Sequence, residues 1–162
     1  MTRKERKSYK VIDLTEEAFL AQGMDIPEFI MTMVETLHAS GHQAYIVGGA
    51  VRDYCLKRTV TDWDVATSAT PEEIRSTFRD IRNFTLKHST VTLVHLDRCY
   101  QVTTFMSSKG FGASIVEDLG HRDFTINAMA YNVVKKEIID PFCGREDIKS
   151  KIIRAVESPN KR

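Results

Sequence analysis

Two aspartates, Asp62 and Asp64, stand one residue apart in the run TVTDWDVAT. If this run is a β-strand, successive side chains face opposite sides, so both carboxylates share one face while Trp63 turns into the core. Two like charges in one small space are costly unless solvent, a basic group or a cation neutralises them. Carboxylates in this arrangement suit Mg²⁺ or Mn²⁺ carrying nucleotide phosphates, although aspartates on a wet surface show the same pattern.

A glycine pair, Gly48 and Gly49, lies a short distance upstream, where the apolar run QAYIV ends. Glycines at a strand-to-helix corner let backbone N–H groups approach a phosphate closely, and the positive end of the following helix points at the same place. A plain tight turn is the alternative interpretation. Arg52 and Asp53 follow on the first turn of that helix, where Arg52 can reach a phosphate and Asp53 can brace it, unless the two form only an exposed ion pair.

The glycine turn and the aspartates together predict one site for a nucleoside triphosphate and its metal ions. In a two-metal scheme, one ion activates an attacking hydroxyl, and the other steadies the triphosphate and the pyrophosphate leaving group. The chemistry that this combination predicts is nucleotidyl transfer.

The bulk composition predicts one globular domain. The chain has 162 residues, of which 42% are hydrophobic and 28% are charged, enough for a modest core. Its net charge of +1 shows no overall basic excess and leaves the partner open. No apolar run approaches the ~18 residues of a membrane span, and the basic start MTRKERKSYK lacks the apolar core of a signal peptide.

Three cysteines, Cys55, Cys99 and Cys143, are widely separated and form no C-x-x-C pair. Neither a disulfide framework nor a zinc site is therefore expected. The pattern fits a reducing cytoplasm.

Periodicity predicts helices and short strands around the candidate site. Apolar residues recur on one helical face between Asp25, the candidate cap, and Gly41, the candidate stop. The runs QAYIV and WDVAT are typical of short strands. Thr70, followed by Pro71 and Glu73, predicts the capped start of another helix.

The rest of the chain is predicted to be mainly antiparallel sheet. The runs NFTLK, VTLVHL and YQVTTF are β-rich, and Asp97 and Arg98 between the last two suit a tight hairpin. Residues 106–114 have no period and predict a mobile loop. A short helix, two strands joined at Lys135 and Lys136, and a last helical turn and strand follow. The fold class is therefore α+β, with a mixed, largely antiparallel sheet flanked by helices.

Two longer motifs resemble those of a known family. The run IVGGAVRDYCLKRTVTDWDVAT resembles the first motif, and EDLGHRDFTINAMAY the second, of the catalytic head of class II tRNA nucleotidyltransferases (CCA-adding enzymes) and bacterial poly(A) polymerases. The similarity extends from about residue 44 to residue 156. It implies a nucleotidyltransferase head, or palm, that adds nucleotides from CTP or ATP to the 3′ end of tRNA and releases pyrophosphate.

The resemblance also implies roles for individual residues. It implies that Gly48, Gly49 and Arg52 hold the triphosphate and that Asp62 and Asp64 bind Mg²⁺ or Mn²⁺. On the second motif it assigns the sugar and phosphate side of the nucleotide pocket to Arg122, Asp123 and Asn127. By themselves, Arg122 and Asp123 could form a structural ion pair and Asn127 a helix-terminal hydrogen bond. Arg58 matches a family arginine that precedes the carboxylate strand, where it contacts phosphate, holds the loop or is solvated.

Two departures from the family pattern bear on activity. Gln101 stands where the family often has a glutamate, so a second metal would be held more loosely or by solvent. Met106 replaces a common arginine, and the connection from there to His121 is shorter than usual. The usual connection resembles a flexible loop associated with adding the terminal A, so the short one favours addition of CC.

These observations define an expected domain layout and function. Residues 1–24 are expected to be a basic tail and lead-in, 25–157 the head domain, and 158–162 the start of a linker to a neck domain, so that the chain is a head fragment. The expected partners are CTP or ATP and the 3′ end of tRNA or another RNA, in the cytoplasm and without a membrane. The alternatives are a poly(A) polymerase, or a nucleotide- or RNA-binding module with impaired catalysis.

Overall fold

The structure, a computed structural model, describes residues 14–157, with side chains from residue 18 onward. The predictions for residues 1–13 and 158–162 lie outside this range. The helices are α1 Leu14–Gln22, α2 Glu28–Ala39, α3 Gly49–Cys55, α4 Pro71–Thr77, α5 Ile115–Gly120 and α6 Gly144–Ser150, with a short 3-10 helix at Thr125–Asn127. The strands are β1 Ala44–Val47, β2 Asp64–Thr67, β3 Asn83–Lys87, β4 Thr90–His95, β5 Arg98–Thr104, β6 Met106–Ser107, β7 Gly110–Phe111, β8 Ala130–Asn132 and β9 Glu137–Ile139.

Seven of these strands form one sheet in the order β3-β4-β5-β2-β1-β8-β9. Only the β2–β5 pair is parallel, and every other neighbouring pair in this sheet is antiparallel. The predicted α+β fold with a mixed, largely antiparallel sheet is therefore confirmed. Strand β2, which begins at Asp64, lies at the centre of the sheet.

The two faces of the sheet are covered to different extents. One face packs on α2 and α4, whose buried residues include Met33, Leu37 and Ile74. On the opposite face a smaller cluster, which includes Phe105 and Leu119, covers β1, β2 and β8. The face of the sheet that packs on α2 and α4 is therefore covered widely. The opposite face is covered mainly over β1, β2 and β8.

Local sequence signals placed several elements correctly. Thr70 caps α4 with both hydrogen bonds of a capping box: its hydroxyl accepts from the Glu73 N–H at 3.3 Å, and the Glu73 carboxylate accepts from the Thr70 N–H at 2.8 Å. Helix α2 begins later than expected, with Pro27 rather than Asp25 at the cap position, and Gly41 follows its end with a φ of +86°. The lead-in contains a helix, α1, that was not predicted.

The connection at residues 106–114, predicted to be a mobile loop, contains regular structure. Strands β6 and β7 form a small hairpin in which Met106 pairs with Phe111 and Ser107 with Gly110. Ser114 then caps α5 by accepting a hydrogen bond from the Glu117 N–H at 3.2 Å. Two-residue strands are too short for a periodic signal, so the sequence showed only the turn residues.

The hairpin between β4 and β5 forms as predicted, with its turn one residue earlier. His95 pairs with Arg98, so Leu96 and Asp97 are the two turn residues. Their φ angles are +47° and +59°, the left-handed values that a type I′ turn requires. Leu96 is 82% exposed, so its side chain gains little from burial while its backbone is strained.

In residues 14–157, no helix is both long enough and apolar enough to cross a membrane.

Replacing Leu96 by Asn is expected to stabilise the protein by roughly 1 kcal/mol, because Asn tolerates the left-handed conformation better than Leu. Urea unfolding at neutral pH measures the free energy of unfolding. Leu96→Ala is the matched control, since it removes the exposed side chain but keeps the strained backbone. Equal stability of Leu96→Asn and Leu96→Ala would contradict the explanation.

Candidate active site

The candidate site lies at one end of three neighbouring strands of the large sheet, β1, β2 and β8. Val47, the last residue of β1, pairs with Asp64 at the start of β2 and with Ala130 at the start of β8. The glycine turn that follows β1 therefore lies beside the first carboxylate of β2. This register brings the two sequence motifs together.

The glycine turn has a backbone that other residues adopt poorly. Gly48 has φ +72° and ψ −132°, and its N–H donates to the Met129 carbonyl at 3.2 Å. A Cβ atom at Gly48 would lie 3.1 Å from Nη1 of Arg122, and one at Gly49 would lie 3.3 Å from Nη2 of Arg52. The missing side chains therefore let two guanidinium groups approach the turn.

Arg52 is held by two partners. Its Nε donates to Oδ1 of Asp53 at 3.0 Å, and its Nη1 donates to Oδ1 of Asn127 at 2.7 Å. The Arg52 and Asp53 side chains are 31% and 22% exposed, so the pair is half-buried rather than a solvated surface pair. One hydrogen bond thus joins a residue of the first motif to a residue of the second.

The turn that carries Asn127 is fixed by a buried carboxylate that the sequence analysis did not single out. Asp147 on α6 accepts from the Thr125 hydroxyl at 2.6 Å and from Nη2 of Arg154 at 3.0 Å. The hydrogen bond from Thr125, followed by that from Arg154, lowers the pKa of Asp147 below its ordinary value. The carboxylate therefore stays charged and holds the start of the 3-10 helix.

Arg122 is held by Asp118, a second residue that the sequence analysis missed. Nη2 of Arg122 donates to Oδ2 of Asp118 at 3.2 Å, and the other carboxylate oxygen accepts from the Met106 N–H at 3.0 Å. Asp118 is 4% exposed. The spacing of four residues between Asp118 and Arg122 is the signal that could have identified this pair on a helix.

The two aspartates are close in space, but they are not both on the strand. Strand β2 begins at Asp64, whereas the exposed Asp62 lies in the preceding segment. Trp63 packs against the main core, as predicted. Burial raises the pKa of Asp64, the positive charge of Arg122 lowers it, and the negative charge of Asp62 raises it again. The net shift of the pKa is upward because burial, the largest of the three effects, outweighs the attraction to Arg122, so the ionised carboxylate is only partly compensated for its lost hydration.

Gln101 is the direct neighbour of Asp64 on the parallel strand β5. Its amide oxygen can accept a hydrogen bond or ligate a metal, but it adds no charge. In the part of the chain that the structure describes, no group of three or more His, Cys, Asp and Glu residues is arranged to hold a metal ion. The donor set is therefore two neighbouring carboxylates, one of them half-buried, which fits a divalent cation that also binds phosphate oxygens.

The two remaining predicted residues, Arg58 and Asp123, are exposed. Arg58 follows α3, is exposed, and lines a cavity of about 570 Å³ with Tyr54 and Trp63. Asp123 is exposed, and its carbonyl accepts from the Val156 N–H at 3.1 Å. Hydrogen bonds and close approaches thus join Arg52, Asn127 and Arg122 to the glycine turn, whereas Arg58 lines the cavity beside Tyr54.

The chain is similar to proteins of one known family. The sequence profile of the family described as Poly A polymerase head domain matches residues 44–154. The CCA-adding enzyme of Lactobacillus helveticus is 42% identical over 143 residues, which are 82% of this chain and 36% of that protein. The CCA-adding enzyme of Geobacillus stearothermophilus is 43% identical over 141 residues, which are 80% of this chain and 35% of that protein.

Solved structures give the same picture. The crystal structure of the Bacillus stearothermophilus CCA-adding enzyme in complex with CTP is 44% identical, with a TM-score of 0.72, over 78% of this chain and 32% of that one. A tRNA nucleotidyltransferase complexed with a primer tRNA and an incoming ATP analog is 32% identical, with a TM-score of 0.66, over 77% of this chain and 39% of that one. The chain thus spans about a third of the length of the curated relatives it matches.

Asp64→Asn is expected to raise the free energy of unfolding at neutral pH in the absence of metal. The folded-state pKa of Asp64 is raised, so its charged form destabilises the fold above that pKa, and this cost disappears as pH falls and the carboxyl is protonated. Urea unfolding in the presence of a chelator, at pH 7 and near pH 4, measures the effect.

Asp62→Asn, which changes an exposed carboxylate, is the matched control and should give a smaller gain. A loss of stability in Asp64→Asn at pH 7 would contradict the electrostatic account of the site.

Proposed function

Because the chain belongs to the poly A polymerase head domain family, we propose that it transfers nucleotides from CTP or ATP to the 3′ end of tRNA and releases pyrophosphate. The observation that carries the proposal is the position of Arg122. This residue lies against Gly48 and also acts electrostatically on Asp64. A cation that binds phosphate thereby lies next to the carboxylates that the transfer needs.

The residues of the site have two roles: some stabilise charge during the reaction, and others hold those residues in place. Arg52 and Arg122 stabilise the negative charge that develops on the departing pyrophosphate. Asp53, Asn127 and Asp118 fix these guanidinium groups, so that little reorganisation is needed when the triphosphate binds. The glycine turn leaves room for phosphate oxygens beside the backbone.

The reaction is a displacement at the α-phosphorus of the nucleotide. A bond forms between the RNA 3′ oxygen and the α-phosphorus, the bond from that phosphorus to the bridging oxygen breaks, and the proton of the hydroxyl is released. We propose that Asp62 and Asp64 hold Mg²⁺, with Mn²⁺ as a possible substitute. When bound, the metal supplies Lewis-acid stabilisation of the attacking and leaving oxygens.

The relatives support the proposed partners. One similar structure is a complex with CTP, and another contains a primer tRNA and an ATP analog. We further propose that residues 25–157 form the nucleotidyltransferase head and that the protein works in the cytoplasm. Cys55, Cys99 and Cys143 are widely separated along the chain and form no C-x-x-C pair, a pattern that supports a reducing compartment.

The small β6–β7 hairpin favours one form of the activity, addition of CC. The hairpin is closed by two strand pairs and is tied to α5 through the hydrogen bond from Met106 to Asp118. Gly112 also donates to the Phe105 carbonyl at 2.6 Å. A short, doubly anchored connection has little freedom to rearrange between one incoming base and another.

A product-length assay tests the proposed function. The complete natural protein that contains this chain is incubated with Mg²⁺ and tRNA lacking its CCA end, with CTP alone, ATP alone or both. Two added cytidines and no adenosine are expected. The double variant Asp62→Asn/Asp64→Asn should lose activity on the order of 10³-fold or more, because the metal can no longer bind.

The other products would lead to different conclusions. A complete CCA end would show that the short hairpin does not prevent addition of A, whereas repeated adenosines would assign the protein to the poly(A) polymerases. Tight nucleotide binding without pyrophosphate release would favour a binding module with impaired catalysis and would contradict the proposal.

Gln101→Glu is expected to tighten the binding of Mn²⁺ in the presence of CTP by about tenfold, since it adds a third carboxylate beside Asp64. Calorimetric titration measures this affinity. Thr103→Glu is the matched control, because Thr103 is on the same strand and face but pairs with Ala66 instead. Equal tightening in both variants would show a general charge effect and not a ligand at position 101.

A further inference from the structure

On one face of the large sheet, a row of paired residues extends beyond the candidate site, and two of its members are exposed. Asp64 pairs with Gln101, Gln101 with Thr92, and Thr92 with Phe84. Paired residues in neighbouring strands direct their side chains to the same face, so these four residues form one row across β2, β5, β4 and β3. Phe84 is 42% exposed, and Gln101 is exposed.

The sheet order places this row on the opposite side of Asp64 from the glycine turn. Strand β2 lies between β1, which leads to Gly48, and β5, which carries Gln101. In an in-line displacement, the attacking oxygen approaches opposite the leaving group. If pyrophosphate departs over Gly48, Arg52 and Arg122, the RNA 3′-hydroxyl must arrive from the side of β5.

We propose that the 3′-terminal nucleotides of the RNA acceptor lie on this row. Cys99, two residues before Gln101 on β5, lies on the same face of the sheet, and we call Phe84, Thr92, Cys99 and Gln101 the acceptor face. The proposal rests on the proposed nucleotidyl transfer. The terminal ribose lies over Gln101 next to Asp64, and the base of a preceding nucleotide stacks on the ring of Phe84. Three strand spacings of ~4.8 Å separate Asp64 from Phe84, about 14 Å in all.

The chemistry of the acceptor face suits a single strand of RNA. An exposed aromatic ring offers a stacking surface for any base. Cys99 and Asp62 line one groove of about 570 Å³, so the acceptor face adjoins a catalytic carboxylate. Stacking reads no base identity, which fits an acceptor that is recognised by its shape.

Thr92 gives a second, independent observation. Its side chain is 3% exposed, and its hydroxyl is buried without a hydrogen-bond partner among the described residues. Buried hydroxyls normally have partners. A ribose hydroxyl or base edge that displaces the neighbouring Gln101 side chain supplies the missing partner, so the unsatisfied group lies where the acceptor is expected.

Kinetics with Phe84 variants of the complete natural protein tests the acceptor face. Phe84→Ala is expected to raise the KM for tRNA about 5- to 100-fold, the range given by one lost base stack, while the KM for CTP changes less than about twofold. Phe84→Trp should restore the KM for tRNA, because it keeps a stacking ring. Val134→Ala is the matched control: it truncates an exposed apolar side chain in the β8–β9 turn, at the opposite edge of the sheet.

Cysteine protection provides a measurement that does not need activity. Cys99 and Cys143 are both exposed free thiols, and only Cys99 belongs to the acceptor face. A tRNA lacking its CCA end should slow alkylation of Cys99 by N-ethylmaleimide at least about tenfold and leave Cys143 unchanged. Unprotected Cys99 together with an unchanged KM for tRNA in Phe84→Ala would overturn the proposal.

The two proposals can fail separately. Nucleotide addition by a protein whose Phe84→Ala variant is normal and whose Cys99 is unprotected would retain the proposed function and reject the acceptor face. Protection of Cys99 by tRNA, in a wild-type protein that adds no nucleotide, would support the acceptor face as an RNA site and reject the proposed function.

Discussion

The structure depends on holding the carboxylate of Asp64, half-buried, at the start of the central strand. Burial and the nearby charge of Asp62 both disfavour its ionised form, and Arg122 offsets only part of that cost. The fold tolerates this cost because a large core on the other face of the sheet stabilises the strand. A divalent cation bound to this carboxylate with its nucleotide would stabilise the ionised form that burial disfavours.

Three further acidic residues position the arginines of the site around the carboxylate of Asp64. Asp53 and Asp118 each bind one of the two arginines, and Asp147 holds the turn from which Asn127 reaches Arg52. Each acidic residue neutralises or orients a group outside the pair at Asp62 and Asp64. The arginines are therefore placed in advance, so that under the proposed function a triphosphate would meet fixed cations instead of mobile ones.

Much of this arrangement could be predicted from the sequence, because it rests on local chemistry. The glycine turn, the capping box at Thr70 and the β4–β5 hairpin each depend on a few neighbouring residues. The family resemblance then joined the two motifs that the sheet register brings together. The predicted strand position of Asp62 was wrong by a short distance, since the strand starts only where β1 and β5 supply partners.

The features that were missed depend on contacts between distant parts of the chain. Asp118 gains its importance from the Met106 N–H and from Arg122, and Asp147 from Thr125 and Arg154. The composition of the chain does not distinguish Asp118 and Asp147 from its other acidic residues. The open row that ends at Phe84 is likewise a consequence of strand order, which local patterns do not fix.

The central claim is that the glycine turn and the two aspartates act on one nucleotide. It is tested most directly by a crystal structure with Mn²⁺ and a non-hydrolysable CTP analogue, in which anomalous scattering locates the metal. The account predicts Mn²⁺ bonded to a carboxylate of Asp62 or Asp64 and to a phosphate oxygen, with the triphosphate against Gly48, Arg52 and Arg122. A triphosphate bound elsewhere, or a metal that contacts neither aspartate, would contradict it.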